Sequence, residues 1–250
     1  MITAIKRQDA VNGLDDLFDY NASDVENIKD VESNGNMKLQ KILANYYRHL
    51  CGFKCNLDDV LTPNEINEFL PLTALYSDYD SYKTYSADFL NRLIHNSYEN
   101  GNNDFYLNFE NLDPIMCIFK KVKARRTNPL RATIKGDVGI WLGIDAQNLE
   151  IFVKGNVGDE LGWDSRNIKI TIEGDVGSVF GYASNNLTAS IRGDCGCGLG
   201  DYAKNAAIYV DGNVDVEPSE KLAECAIIGE DARNHHVYKR MMAEFEEKFK

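Results

Sequence analysis

Residues 136–173 read GDVGIWLGIDAQNLEIFVK followed by GNVGDELGWDSRNIKITIE, two copies of one 19-residue pattern. Each copy carries three glycines in the order Gly-[Asp/Asn]-X-Gly-X-X-X-Gly. The pattern recurs from Gly174 and from Gly193, and a fifth copy begins at Gly212 and then stops. A fixed period of this length is typical of a solenoid, in which each repeat forms one coil and stacks on the next.

The residues before each glycine run alternate between apolar and polar, which is the two-residue period of a β-strand. When the copies are stacked in register, the apolar side chains form columns that a parallel sheet would bury. The strand columns are Leu130, Leu149, Ile168, Leu187 and Ala206; Ala132, Ile151, Ile170, Ala189 and Ile208; and Ile134, Val153, Ile172, Ile191 and Val210. Two more columns follow the glycines: Val138, Val157, Val176, Cys195 and Val214, and Leu142, Leu161, Phe180 and Leu199.

The repeat predicts a mainly β protein with α-helices, built on a short right-handed parallel β-helix of four to five turns at about 19 residues per turn. We expect a mostly helical region at 1–129, the β-helix at 130–216 and a C-terminal helical cap at 217–250. The helices would cover the open strand edges at the ends of the β-helix.

The positions of apolar residues outside the repeat predict the individual elements. Helices are expected within 1–33, over 37–51, from Thr62 onward, over 86–99, over 218–225 and over about 234–250. Alternation at Phe105, Leu107 and Phe109 predicts a strand. Residues 115–119 are interpreted as a worn preceding coil, with Ile115 one period before Ile134.

Polar residues also recur once per period. Asparagine tolerates left-handed backbone and stacks well, so we expect a corner with an asparagine ladder at Asn148, Asn167, Asn186 and Asn205. Small residues two places earlier fit a tight interior corner: Ala146, Ser165, Ser184 and Ala203. A further column could suggest calcium, but we interpret it as turn chemistry in which each side chain bonds its own backbone: Asp137, Asn156, Asp175, Asp194 and Asn213.

The glycine pattern over residues 130–215 resembles the GXGXG domain. That family includes the C-terminal β-helix of the glutamate synthase large subunit and one of the subunits of formylmethanofuran dehydrogenase. The resemblance implies a rigid scaffold against which catalytic domains pack, rather than a site of bond-making. It does not imply glutamine amidotransferase activity, because that reaction needs an N-terminal cysteine and this chain starts Met1-Ile2-Thr3.

Composition excludes several classes of protein. The 250 residues carry a formal net charge of −12, which disfavours nucleic acid and anionic membrane as general partners. Six cysteines are too few for a disulfide scaffold, and the first residues lack the apolar core of a signal peptide. We therefore expect a soluble, cytoplasmic protein.

Few residues suggest catalysis or metal binding. His49, Cys51 and Cys55 have short spacings but lack a second ligand pair, and Cys195 and Cys197 lie within the repeat, where Cys197 could have a redox role. The adjacent His235 and His236 would face apart on a helix. Since no catalytic triad, phosphate loop or dinucleotide motif is present, the sequence assigns no catalytic, cofactor-binding or metal-binding residue and no cofactor.

One segment is strongly basic despite the acidic average. It contains Lys120, Lys121, Lys123, Arg125, Arg126 and Arg131 and joins the helical region to the first clear coil. It can be interpreted as a solvated linker or as a contact for an anion or an acidic partner.

Three functions are compatible with these observations. The first is a non-catalytic scaffold or protein-interaction module with a protein partner or a homo-oligomeric state. The second is an accessory subunit of a glutamate synthase-like or formylmethanofuran dehydrogenase-like oxidoreductase complex. The third is an enzyme with a cleft between the helical region and the solenoid, using residues around Tyr76–Tyr85.

Overall fold

The computed structural model describes residues 37–55, 57 and 59–215, together with the backbone of strand Cys225–Gly229. The helices expected within 1–33 and over 234–250, and the pair His235–His236, lie outside these residues. In the described part, three α-helices precede the strands of a single parallel β-solenoid. The chain is therefore mixed β and α, as the sequence predicts.

The helical region contains α1 (Met37–Leu50), α2 (Pro63–Thr73), a short 3-10 helix (Ala74–Tyr76) and α3 (Tyr82–Glu99). Thr62 caps α2 as predicted: its Oγ1 accepts from the backbone N–H of Glu65 at 3.3 Å, and its own N–H donates to the Glu65 carboxylate at 2.8 Å. This reciprocal pair satisfies amide groups that the first turn leaves unbonded. None of the described helices is both long and apolar enough to cross a lipid bilayer.

The strands form one sheet in chain order, and each pairs in parallel with the next. They are β1 (Asp104–Asn108), β2 (Leu130–Lys135), β3 (Gln147–Lys154), β4 (Arg166–Ile172), β5 (Asn185–Ile191), β6 (Lys204–Val210) and β7 (Cys225–Gly229). Leu130 lies opposite Leu149, which lies opposite Ile168, so the 19-residue register is the predicted one. The three apolar strand columns are buried along β2 to β6.

A second side of each coil follows the first glycines. Single parallel bridges join Val138 to Val157 and continue through Val176 and Cys195 to Val214. The coils approach closely here, because a Cβ added at Gly155 would overlap the backbone carbonyl of Gly136. The first glycine of each repeat is thus required for close approach of two backbones.

The predicted asparagine corner lies at the second residue of β3, β4, β5 and β6. Asn148, Asn167, Asn186 and Asn205 all adopt left-handed backbone, with φ between 50° and 59°. Hydrogen bonds between side-chain amides link the first three of them. The prediction of a left-handed, stacked corner is confirmed.

The coil before the repeat has a different register from the expected one. Leu107 on β1, rather than Ile115, lies opposite Ile134, and the two are 27 residues apart. The carbonyl of Ile115 accepts from Gly139 at 3.2 Å, as the carbonyl of Val138 accepts from Gly158 at 3.0 Å. Ile115 therefore has the same place in the first coil that Val138 has in the second. The 19-residue spacing is lost here because the connections before and after residues 115–124 are longer than in the repeat.

The sheet also continues past the last complete repeat. Ala206 pairs with Cys225 and Ile208 with Ile227, again 19 residues later. The sequence predicts that Cys225 ends a helix, whereas in the structure it begins strand β7. The sheet therefore spans β1 to β7.

Side chains of helices α2 and α3 form hydrogen bonds with backbone groups of the first coil. Helix α2 packs against β1, and the N–H of Asn108 donates to Oδ1 of Asn67 at 2.9 Å. The Tyr98 hydroxyl donates to the carbonyl of Asn128 at 2.7 Å and accepts from the N–H of Arg125 at 2.7 Å. These side chains thus satisfy one backbone group of β1 and two in the connection between β1 and β2.

Candidate functional site

The structure divides the basic segment into two groups. Arg131 binds Asp104 through two hydrogen bonds, Nε to Oδ1 at 2.6 Å and Nη2 to Oδ2 at 2.7 Å, and this contact lowers the pKa of the Asp104 carboxyl. Arg125 forms an exposed salt bridge to Glu99 at 3.0 Å. The other four cations are exposed and form no salt bridge with a described residue: Lys120, Lys121, Lys123 and Arg126.

Two of these cations line a cleft of about 810 Å³ beside α3. We call it the cationic cleft, and define it by Leu57, Asp88, Asn91, Arg92, His95, Asn96, Lys120, Lys121 and Val122. Five of these residues come from α3 at positions three or four apart, so they share one face of the helix.

Hydrogen bonds from α3 fix both walls of the cationic cleft. The Asn91 amide donates to the carbonyl of Cys117 at 2.9 Å and accepts from the N–H of Phe119 at 2.8 Å. On the other wall, Arg92 Nη2 donates to the carbonyl of Cys55 at 2.9 Å and Asn96 Nδ2 to that of Leu57 at 3.0 Å. These four hydrogen bonds join α3 to the backbone of both walls.

The charges around the cationic cleft are unbalanced. Arg92, Lys120 and Lys121 are positive, whereas Asp88 is the one acidic side chain among the described lining residues. A concave surface lined by one sign of charge concentrates field lines and attracts the opposite charge. The arrangement is suited to holding an anion, with His95 and the two asparagines as additional hydrogen-bonding groups.

Sequence reasoning found Lys120 and Lys121 but missed the α3 face of the cleft. A signal was present, because Asp88, Asn91, Arg92, His95 and Asn96 form a polar stripe beside the apolar one. Only the fold shows that this stripe faces the two lysines.

The structure does not assemble a metal site from His49, Cys51 and Cys55. The Cys55 thiol is buried, which raises its pKa, and donates to the carbonyl of Asn45 at 2.9 Å, whereas Cys51 is exposed. Within the described residues, no group of three or more His, Cys, Asp or Glu side chains could hold a metal ion.

His49 instead lies against the rings of Tyr85 and Phe89, with centroids 5.5 and 5.6 Å away. Its Nε2 is buried and has no hydrogen-bond partner among the described residues. Burial and the nearby Arg92 lower the pKa of His49, while Asp88 and a hydrogen bond with the Tyr85 backbone act in the opposite direction.

The two repeat cysteines differ in environment. Cys195 is buried in its predicted column, and burial raises its pKa to about 12. Cys197 is exposed, and its Sγ lies 3.6 Å from Oγ of Ser178. A thiol with a raised pKa is a poor nucleophile, so Cys195 is a small apolar side chain of the core.

The Asp/Asn column bonds along the solenoid, not to its own backbone as expected. Oδ1 of Asp137 accepts from the N–H of Asn156 at 2.7 Å, and Oδ1 of Asn156 accepts from the N–H of Asp175 at 2.9 Å. In the same way, the N–H of Asp194 donates to Oδ1 of Asp175, and the N–H of Asn213 donates to Oδ1 of Asp194. Close stacking of the coils places the backbone N–H of the following coil within hydrogen-bonding distance of the side-chain oxygen, which accepts from it.

Of the four tyrosines in Tyr76–Tyr85, two build the helical core and two are exposed, Tyr79 and Tyr85. Tyr46 packs edge-on against Phe69, Tyr76 and Phe89, at centroid distances of 5.3 to 5.6 Å. Its hydroxyl bonds that of Ser86 at 2.5 Å, and burial raises the pKa of Tyr46. Tyr76 and Tyr82 are buried too, so this cluster supports packing.

A comparison with known protein families, with curated proteins and with solved structures found no match to this chain.

Proposed function

We propose that the protein is a non-catalytic scaffold or protein-interaction module whose β-solenoid presents surfaces to a protein partner or to further copies of itself. The supporting observation is that the repeated polar side chains form hydrogen bonds with the neighbouring coil. The Asp/Asn column and the asparagine ladder are bonded from coil to coil, where they hold the solenoid in register. Such side chains stabilise a rigid platform and do not converge on a reacting centre.

The outward face of the sheet fits this role. Its polar side chains pair across coils, as in the Arg192–Glu173 salt bridge at 3.1 Å, and it also exposes Tyr106 and Tyr209. Tyrosine supplies contact area and a hydrogen bond at low entropic cost, and is enriched in protein interfaces.

We place this function in the cytoplasm. The supporting observation is that Cys51, Cys55, Cys117, Cys195 and Cys197 are free thiols. Free thiols persist in reducing compartments, whereas secreted domains usually pair them.

An accessory subunit of an oxidoreductase complex is the alternative. The observation that favours it is the glycine spacing, which resembles the GXGXG domains of glutamate synthase and formylmethanofuran dehydrogenase. The two proposals differ in the identity of the partner, which would be a cofactor-bearing redox enzyme in the alternative.

Affinity purification of the tagged chain from its native cells, with quantitative mass spectrometry, tests both. A scaffold is expected to retain a partner in fixed stoichiometry or to assemble with itself. A stoichiometric flavin or iron–sulfur protein would favour the alternative. A lone monomer would contradict both proposals.

A further inference from the structure

The four cations of the basic segment that form no salt bridge with a described residue follow the chain from the cationic cleft outward. Lys120 and Lys121 line the cleft, and Lys123 and Arg126 follow along the chain. These side chains are exposed in a protein whose net charge is −12. We call this surface the basic strip, and define it as Lys120, Lys121, Lys123 and Arg126.

The basic strip favours a chain over a point anion because Lys123 and Arg126 lie outside the lining of the cationic cleft. Lys123 and Arg125 flank the buried Ala124, whereas Lys120, Lys121 and Arg126 lie in turns, with a φ of 58° at Lys121. Lys123 also pairs as a parallel bridge with Gln147, which fixes its backbone. Alternate side chains of an extended peptide share one face, so an acidic segment presents several carboxylates to one surface.

Carboxylates already bind the two neighbouring arginines. Arg131 holds Asp104 in bidentate geometry and Arg125 holds Glu99. Carboxylates therefore bind arginines next to the basic strip. The exposed cations of the basic strip can offer the same charge-assisted hydrogen bonds.

We propose that the cationic cleft and the basic strip bind an extended segment of a protein partner that is rich in Asp and Glu. This inference rests on the proposed function as an interaction module and identifies the chemistry of its partner. Asn91 joins α3 to the backbone at Cys117 and Phe119, so the backbone of the site is ordered before binding. Asp88 reduces the positive charge of the cationic cleft and therefore weakens the binding of an acidic segment.

The probe is a fluorescein-labelled polyglutamate peptide, with binding followed by fluorescence anisotropy in about 20 mM salt, where exposed charges are weakly screened. Charge reversal at Lys120→Glu/Lys121→Glu is expected to weaken binding by about tenfold or more, because two attractive contacts become repulsive. The matched control, Lys169→Glu/Lys204→Glu, makes the same change in net charge at exposed lysines of β4 and β6 and is expected to change binding by less than about twofold. Asp88→Asn is expected to tighten binding by about twofold to threefold.

Circular dichroism of each variant confirms that it is folded. Equal weakening by the two double variants would overturn the proposal, because it would show a general charge effect. Failure of the wild-type protein to bind the peptide would also overturn it, as would tighter binding of inorganic pyrophosphate than of the peptide.

The proposed function can fail separately. If a stoichiometric partner co-purifies equally with wild type and with Lys120→Glu/Lys121→Glu, the scaffold function stands and the acidic-segment site is wrong. If the peptide binds as expected but the native protein is a lone monomer, the acidic-segment site stands and the scaffold function is wrong.

Discussion

The side-chain amide of Asn167 donates to Oδ1 of Asn148, one coil earlier, at 3.0 Å. Both residues have left-handed backbone, with φ of 54° and 59°. Asn186 repeats the contact on Asn167 at 2.8 Å, and Asn148 itself donates to the carbonyl of Ala124 at 2.6 Å. One residue type thus provides both the bend and the bond between coils.

Replacing Asn167 should separate these two contributions. Asn167→Ala loses the ladder bonds and strains the left-handed backbone, so we expect the free energy of unfolding to fall by about 2 kcal/mol. Asn167→Gly keeps the backbone conformation and should lose about 1 kcal/mol. Guanidinium denaturation measures both. Equal stability of wild type and Asn167→Ala would contradict a structural role for the ladder.

The second glycine of the repeat should be intolerant of a side chain. A Cβ at Gly158 would lie 2.9 Å from the backbone nitrogen of Ile140, which cannot move without separating the coils. Gly158→Val is expected to cost about 3 kcal/mol or to prevent folding. The control is Gly143→Ala, where φ is +68° but no heavy atom lies within 4 Å of the added Cβ, and we expect a loss of about 1 kcal/mol. A thermal melt in which Gly158→Val matches wild type would show that the register is wrong.

A buried serine should be replaceable without loss. Oγ of Ser184 is buried and has no hydrogen-bond partner among the described residues, and the equivalent residue in the next coil is Ala203. Ser184→Ala removes an unsatisfied hydroxyl, so we expect the free energy of unfolding to rise by up to about 1 kcal/mol. The exposed Ser190→Ala serves as control and should change stability little. Destabilisation by Ser184→Ala would indicate that the hydroxyl has a partner.

Stability should depend on the protonation of His49. Its pKa is lowered in the folded state, mainly by burial and further by Arg92, so the unfolded chain takes up the proton first as the pH falls. Stability is therefore greatest above the ordinary histidine value of 6.5 and declines as the pH drops through 6.5 toward the lower folded value. Denaturation midpoints on either side of that value should differ more for wild type than for His49→Gln. Identical pH dependence of the two proteins would show that His49 is not responsible.

The solenoid can be predicted from sequence because one period places every column. Cys225 and Ile227 lie 19 residues after Ala206 and Ile208, so the same period predicts strand β7. Pro218 obscures it, because proline suggests the end of the repeat. The first coil cannot be predicted in this way, since β1 and β2 are offset by 27 residues.

The candidate site is only half predictable. The basic residues are adjacent in sequence, and their density identifies them. The polar face of α3 carries ordinary exposed residue types, and its position opposite Lys120 depends on the contact that Asn91 makes with Cys117 and Phe119. No local pattern encodes such a contact between residues 26 and 28 positions apart.

Native mass spectrometry of the protein isolated from its own cells tests the central claim most directly. The account predicts a species heavier than the 28.2 kDa chain, whose mass corresponds to a defined partner or to an integral number of copies. A single species at the mass of one chain would contradict the account.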